Sequence, residues 1–381
     1  MPKVMLGIDR LPEYLPLFEG KRVGLITNPT GTDSSLRSTI DILAENTNLV
    51  ALFAPEHGVR GNIEAGEKVE GYIDERTGIP VRTLYGSTKK PTAEMLSDID
   101  ILAIDIQDVG SRFYTYLYTM AYCMQACAEL DKEFVVFDRP NPLGGEVVEG
   151  GLVSDGFTSF VGLYPIPARY GLTFGEMALL FNTEFNIGCK LTVVPLLNWE
   201  RAMSWRDTEL PWIQPSPNMP APETAILYNA TCFFEGTNCS EGRGTTKPFE
   251  MVGAPWLDAD HLATYLNDLD LAGVRFRPVH FTPTFSKHAG ELCSGVQLHV
   301  TDPSNFNAIE TALYLLDAVR AQDPSKFSFI PAFSEKGKPF IDYLTGSDII
   351  RTTAFDPTDL YTEWQKAATE FANSKKQYHI Y

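Results

Sequence analysis

A carboxylate, an imidazole and a guanidinium fall within five residues at Glu56, His57 and Arg60, inside the run Leu-Phe-Ala-Pro-Glu-His-Gly-Val-Arg-Gly at 52–61. The apolar stretch 49–53 is cut off by Pro55 and followed by two glycines, the pattern of a buried strand emptying into a tight loop. In an α/β sheet that end of a strand is where ligands bind. Three such groups are costly to bury and seldom needed to hold a loop together, so they lead the candidates for chemistry. The plain alternative is that Glu56 and His57 only cap the following segment.

The same pattern occurs twice more. An apolar run at 99–106 ends in Asp-Ile-Gln-Asp-Val-Gly-Ser-Arg-Phe-Tyr-Thr-Tyr at 105–116, delivering Asp105, Gln107, Asp108 and Arg112, with Tyr114, Tyr116 and Tyr118 behind them. The tyrosines suit a core, or a sugar ring if they border a polar cleft. A third run, 133–137, ends in Asp-Arg-Pro-Asn-Pro-Leu-Gly-Gly and offers Asp138, Arg139 and Asn141. Further along, the proline-rich stretch 214–220 presents Asn218. The glycine loop 234–245 alternates glycine with Glu235, Asn238, Glu241 and Arg243, which a plain linker would not do.

Carboxylates, arginines, asparagines and aromatics together suit hydrolysis of a polar substrate. Glycoside hydrolysis needs a carboxylic acid to protonate the leaving oxygen and a second group as base, nucleophile or stabiliser. Glu56 fits the acid. Asp105, Asp108 or Glu241 could fill the second role, or an acetamido group of the substrate could attack internally with Asn218 orienting it. An amide or ester hydrolase would use Ser111 or Ser240 with His57, but neither serine sits in a Gly-x-Ser-x-Gly elbow. A sugar-binding protein without turnover would use the same cleft.

The elements that must position these groups follow from periodicity. Strand 23–27, a helix over 35–45 with Leu36, Ile40, Leu43 and Ala44 on one face behind Asp33 or Ser34, and strand 48–53 form a βαβ unit. That unit implies a parallel sheet. Strands at 81–84, 99–106, 133–137 and 191–196 extend it, and Thr173 with Glu176 makes a capping box for a further helix. The polar excursion 62–78 is long for a connection and reads as a lid. From about 256 the texture changes to amphipathic helices at 258–269, 305–320 and 359–371 and strands at 275–281 and 296–300. The expected architecture is therefore a Rossmann-like, mostly parallel domain at 1–250, a smaller α/β domain at 251–381, and a site in the cleft between them.

Composition narrows the partners. A net charge of -18 argues against long-range attraction to nucleic acid or an anionic membrane, so an anionic ligand must be met by local arginines such as Arg60, Arg112, Arg139 and Arg243. No apolar run approaches the ~20 residues of a membrane span. The first residues lack the apolar core of an export signal, which fits a cytoplasmic protein or one whose leader is removed. No Gly-x-Gly-x-x-Gly or phosphate-loop spacing points to a nucleotide cofactor, and no Cys-x-x-Cys or His-x-x-x-His spacing points to a metal. Cys123 and Cys127 read as core thiols, while Cys232 and Cys239 could close a small loop in an oxidising compartment.

Six ordered motifs make the chain resemble the NamZ-type exo-β-N-acetylmuramidases, a family long known only as a domain of unknown function. They are Gly-Leu-Ile-Thr-Asn-Pro-Thr-Gly at 24–31, Pro-Glu-His-Gly-Val-Arg-Gly at 55–61, the stretch 105–116, Asp-Arg-Pro-Asn-Pro at 138–142, Ser-Pro-Asn-Met-Pro at 216–220, and the loop 235–245. The resemblance covers nearly the whole chain. It implies a Rossmann-like domain, a smaller C-terminal domain, and release of N-acetylmuramic acid from the non-reducing end of peptidoglycan fragments. It also implies a periplasmic or extracellular location. It places the catalytic glutamate at Glu56; His57, Asp105 and Glu241 are the further catalytic candidates that the residue types themselves offer. Asn28, Arg60, Gln107, Asp108, Arg112, Tyr114, Asp138, Arg139, Asn141, Asn218, Asn238 and Arg243 are the candidate substrate contacts. The lactyl carboxylate of that sugar gives an acidic protein a reason to place arginines at its site.

Overall fold

The apolar runs of the first half are buried on both faces, which suits strands covered by helices on either side. In the computed structural model, which describes residues 3–55, 58–61, 71–84 and 88–381, these runs become β1 (Arg22–Thr27), β2 (Asn48–Ala54), β3 (Tyr72–Ile73), β4 (Pro80–Thr83), β5 (Ile101–Asp105), β6 (Glu133–Phe137) and β7 (Lys190–Val194). They form one sheet in the order β3-β4-β2-β1-β5-β6-β7. Every pairing is parallel except that of β3 with β4. After β1 the chain builds outward through β2 and β4, then crosses back to place β5 on the other side of β1. The strand order reverses between β1 and β5, where Thr27 pairs with Asp105. Such a switch point opens a crevice at the carboxyl ends of the strands.

One face of the sheet packs against helices Tyr116–Glu129 and Phe174–Glu184, with Cys123 and Cys127 inside that layer. Burial pushes both thiols up. The other face carries Ile40 and Leu43 from helix Thr39–Asn46, the N-terminal segment through Val4 and Leu6, and Trp199 and Trp205. The Thr173 cap forms as the sequence predicts: its hydroxyl accepts from Glu176 N at 3.2 Å while the Glu176 carboxylate accepts from Thr173 N at 2.9 Å.

Three expectations need correction. The first helix starts at Thr39, not near residue 35, because residues 33–37 close a turn in which Asp33 Oδ1 accepts from the amides of Ser35 and Arg37, Asp33 N donates to Arg37 O, and Leu36 takes a left-handed φ. Leu36 is therefore 55% exposed at φ 67° and joins no helix face. Residues 62–70 lie outside the described residues, but the latter part of the excursion is no lid. Tyr72 and Ile73 pair with Val81 and Pro80 as the antiparallel edge of the sheet. Cys232 and Cys239 are free thiols, as are the other four cysteines, all buried.

The second unit is built on an antiparallel sheet of β8 (Met251–Ala254), β9 (Val274–Phe281) and β10 (Cys293–Val300), in the order β8-β10-β9. Along β9, Val274 and Phe276 point into the core while Arg275 and Arg277 face water, the alternation of a sheet covered on one side. Helices Ala259–Asp268 and Ala308–Gln322 provide the cover. Helix Pro222–Thr231 already belongs to this core, packed on Ala308–Gln322. The final helix, Pro357–Ser374, crosses Ala308–Gln322 and the chain then returns to the first domain, where the Tyr381 hydroxyl donates to Asp138 Oδ2 at 2.7 Å. Among the described residues no helix is long and apolar enough to cross a membrane.

Candidate active site

The carboxyl ends of β1, β5 and β6 are tied together by their own polar residues. At the end of β1, Asn28 Oδ1 accepts from the amide and hydroxyl of Thr30 at 2.9 and 2.5 Å, and Asn28 Nδ2 donates to the Tyr116 hydroxyl at 2.8 Å. Tyr116 in turn donates to Pro215 O at 2.6 Å, which fixes the proline-rich stretch carrying Asn218. Asp105 ends β5 fully buried, and Arg139 at the end of β6 grips it with Nε at 2.5 Å and Nη2 at 2.9 Å. The Thr39 hydroxyl adds a third bond to the same carboxylate, and Arg139 also donates to Thr32 O at 2.6 Å.

Behind this pair lies a second buried carboxyl. Asp108 Oδ2 accepts from Gly110 N at 2.8 Å and from the Tyr170 hydroxyl. Its Oδ1 and the nearby Gln107 Oε1 are buried without a hydrogen-bond partner among the described residues. Burial raises the Asp108 carboxyl to about 7, against the pull of its donors. Asp138 is likewise raised, to about 6, by burial; its oxygens receive Gly175 N, Arg139 N, Thr173 and Tyr381. Asn141 bridges Leu172 O and Leu143 N at 2.9 Å each. Its Oδ1 sits so close to Gly110, at φ 77°, that a Cβ there would lie 2.3 Å away.

The open part of the site is a cavity of about 330 Å³ between the two domains. Tyr114, Tyr116 and Asn218 line it from the first domain. Tyr228, Glu235, Arg243 and Phe285 line it from the second. The Tyr114 ring stands edge-on to Tyr116 and Tyr228, with centroids 4.9 and 6.1 Å away. Arg243 donates to Glu235 Oε1 from Nε at 3.1 Å and Nη2 at 2.7 Å, lies 3.3 Å from Glu241, and covers the Phe249 ring. Burial alone would lower this guanidinium, but Glu235 and Glu241 hold it raised. Glu241 is buried against Lys287 Nζ at 2.6 Å.

The site residues expected from sequence thus fall into three groups. Tyr114, Asn218 and Arg243 border the cavity, and Asn28 reaches its wall through Tyr116. Asp105, Gln107, Asp108, Asp138, Arg139 and Asn141 form the buried network beneath the crevice, while Glu241 braces Arg243. Arg60, Arg112 and Asn238 are engaged elsewhere. Arg60 pairs with Asp74 at 2.5 Å and Asp41 at 3.1 Å, Arg112 serves three backbone carbonyls, and Asn238 holds Lys326 O and Ser328 N. Glu56 and His57 lie outside the described residues. Ser111 and Ser240 are 0% and 2% exposed, which leaves neither hydroxyl open to an acyl substrate. Tyr228, Tyr170, Thr39 and Phe285 were not singled out by sequence. Only Phe285 had a local signal, the polar hairpin around Lys287 and His288.

Both halves of the chain match one family: residues 23–223 fit "Exo-beta-N-acetylmuramidase NamZ, N-terminal" and residues 226–381 fit "Exo-beta-N-acetylmuramidase NamZ, C-terminal". The chain belongs to the NamZ exo-β-N-acetylmuramidase family. A curated NamZ relative, the peptidoglycan beta-N-acetylmuramidase NamZ of Bacillus subtilis (strain 168), is 52% identical over 386 residues, covering 100% of this chain and 92% of its own. Two crystal structures of DUF1343 family proteins from Bacteroides fragilis NCTC 9343 share the NamZ-type architecture seen here. One has a TM-score of 0.92 at 44% identity and the other 0.81 at 33%, each covering 100% of this chain and 99% of its own.

Proposed function

We propose that this protein is a glycoside hydrolase that releases terminal N-acetylmuramic acid from the non-reducing end of peptidoglycan fragments, using the cleft between its domains. The observation that carries the reading is the cavity wall itself: an amide side chain at Asn218, the Arg243–Glu235 pair and the tyrosines Tyr114 and Tyr116 converge on about 330 Å³. That volume and mix of groups fit one or two sugar rings bearing an acetamido group and a carboxylate. Membership of the NamZ family supports the same reaction.

In this reading Glu56 protonates the leaving oxygen. The second role falls on none of Asp105, Asp108 and Glu241. Asp108 is 4% exposed, held by Gly110 N and the Tyr170 hydroxyl, and is not part of the cavity wall. Asp105 has its oxygens taken up by Arg139 and Thr39, and Glu241 lies between Arg243 and Lys287. A carboxylate so engaged is a poor nucleophile, which favours attack by the acetamido oxygen of the substrate with Asn218 orienting it. Arg243 meets the lactyl carboxylate.

The test is incubation of the purified protein with a chromogenic N-acetylmuramide beside the matching N-acetylglucosaminide. Release from the muramide alone is expected. Silence on the muramide and on muramic-acid-terminated fragments would leave a sugar-binding protein instead.

A further inference from the structure

Residues 282–292 join β9 to β10, and this loop is fastened to the glycine loop of the cleft on both sides of Phe285. Before it, Thr284 donates to Gly244 O from its amide at 2.8 Å and from its hydroxyl at 2.9 Å. After it, Lys287 Nζ donates to Phe234 O at 2.6 Å and Thr237 O at 3.0 Å, and pairs with Glu241. His288 Nε2 lies 2.7 Å from Asn238 O and donates to it. The fit at Gly244 leaves no slack: at φ 80°, a Cβ there would stand 2.5 Å from Phe285 O and 2.7 Å from Phe285 N.

This loop also holds two non-glycine residues in the left-handed region, Ser286 at φ 68° and His288 at φ 57°. Such backbone persists only where its surroundings over-determine it. What the anchors present is one phenylalanine ring, 53% exposed, on the rim of a cavity whose wall combines Asn218, Glu235 and Arg243 with tyrosines and the apolar Phe113, Val161 and Pro217. A single exposed apolar side chain is ordinary, but among the exposed large apolar side chains of the described residues Phe285 is the one that lines the cavity, and the loop that holds it there is rigidly anchored.

We infer that Phe285 is an aromatic platform, on which the C–H face of a pyranose ring of the bound glycan stacks, and that Thr284, Gly244 and Lys287 fix its position. One face of a pyranose carries mainly axial C–H bonds, and these match the electron-rich face of an aromatic ring. The inference rests on the glycosidase reading above and adds a contact that selects a saccharide rather than a bare carboxylate. The cavity polar groups then read the substituents while Phe285 reads the ring.

The experiment compares wild type with F285A, F285L and F285W. Each is assayed for turnover of the muramide and titrated with a muramic-acid-terminated peptidoglycan disaccharide. The F285A change is expected to weaken KM and Kd about tenfold, with a smaller change in kcat and an unaltered melting temperature. F285W should restore most of the loss. F285L, apolar but not flat, should not. Unchanged KM and Kd in F285A, or full rescue by leucine, would overturn the platform while leaving the glycosidase reading intact. If wild type cleaves nothing yet binds the disaccharide, the hydrolytic reading fails, and the Kd series alone decides the platform.

Discussion

Asp105 at the end of β5 and Arg139 at the end of β6 are locked in a two-pronged ion pair, Nε to Oδ1 at 2.5 Å and Nη2 to Oδ2 at 2.9 Å, with both side chains at most 5% exposed. The pair closes the floor of the crevice by binding two adjacent strand ends to each other. Removing one partner would bury an uncompensated charge. D105N is therefore expected to cost about 3–5 kcal/mol in chemical denaturation. D105L combined with R139M should cost less than the sum of the two single changes, because both charges leave together. Strictly additive losses would mean that the pair does not act as a unit.

Glu56 carries the proton-donor role in the proposed reaction. E56Q keeps the shape of the side chain and removes its proton. Turnover of the muramide is expected to fall about 10²–10⁴-fold. Calorimetric binding of a muramic-acid-terminated fragment should change little. Undiminished turnover would take Glu56 out of the mechanism.

Much of the scaffold was legible in the sequence because buried parallel strands announce themselves as continuous apolar runs. The strand at 133–137 lies where its pattern placed it, and the Thr173–Glu176 capping box formed as written. Boundaries failed where side chains compete with the backbone. Asp33 closes a turn on the amides of Ser35 and Arg37 that sets Leu36 at φ 67°, a backbone no helix from residue 35 can contain. The candidate site was harder to read, because a polar residue at a strand end looks the same whether it faces a ligand or its own neighbours. Asp105 and Arg139 stand 34 positions apart, and nothing local in either motif says that they bind each other. Phe285 went unnoticed for the opposite reason: Lys287 and His288 mark its loop as polar, but nothing in the pattern says that the aromatic between the strands is left exposed on a cavity rim.

Asp108 makes stability depend on pH in a definite direction. Its carboxyl is raised to about 7 in the folded protein by burial, whereas in the unfolded chain it titrates near ~3.9. Between about pH 4 and about pH 7 the folded state holds a proton that the unfolded state has lost, so this contribution to stability falls as pH rises through that window. D108N has no such proton. The denaturation free energy of wild type minus that of D108N should therefore decline from about pH 4 to about pH 7 and level off above. A flat difference would mean that Asp108 is ionised in the fold.

Of the motif arginines within the described residues, Arg243 is the one on the cavity wall. Glu235 takes its Nε and Nη2, so a ligand carboxylate would meet the outer edge of the guanidinium, a geometry that lysine, with charge but no planar group, cannot keep. R243K should weaken binding of N-acetylmuramic acid about tenfold. Binding of N-acetylglucosamine, which lacks the lactyl group, should fall much less. Equal losses in the two calorimetric titrations would remove carboxylate recognition from Arg243.

Arg112 was expected to hold substrate, but its position points to the joint between domains. It is 1% exposed, and its terminal nitrogens donate to Gly151 O at 2.5 Å, Ile166 O at 3.0 Å and, from the second domain, Leu344 O at 2.6 Å. Among the described residues no carboxylate pairs with it, and burial lowers the guanidinium to about 10. R112M would strand three buried carbonyls, each worth about 1–3 kcal/mol when left unpaired. R112K, with one nitrogen in place of the fork, can serve only part of them. Both variants should unfold at lower denaturant, methionine more than lysine. Because Leu344 lies in helix Phe340–Thr345 of the second domain, loosening this joint should also raise KM by letting the cleft widen. A substrate contact would give a different pattern: R112K would raise Kd for the muramic-acid fragment while the denaturation midpoint stayed at the wild-type value, and that result would return Arg112 to the binding site.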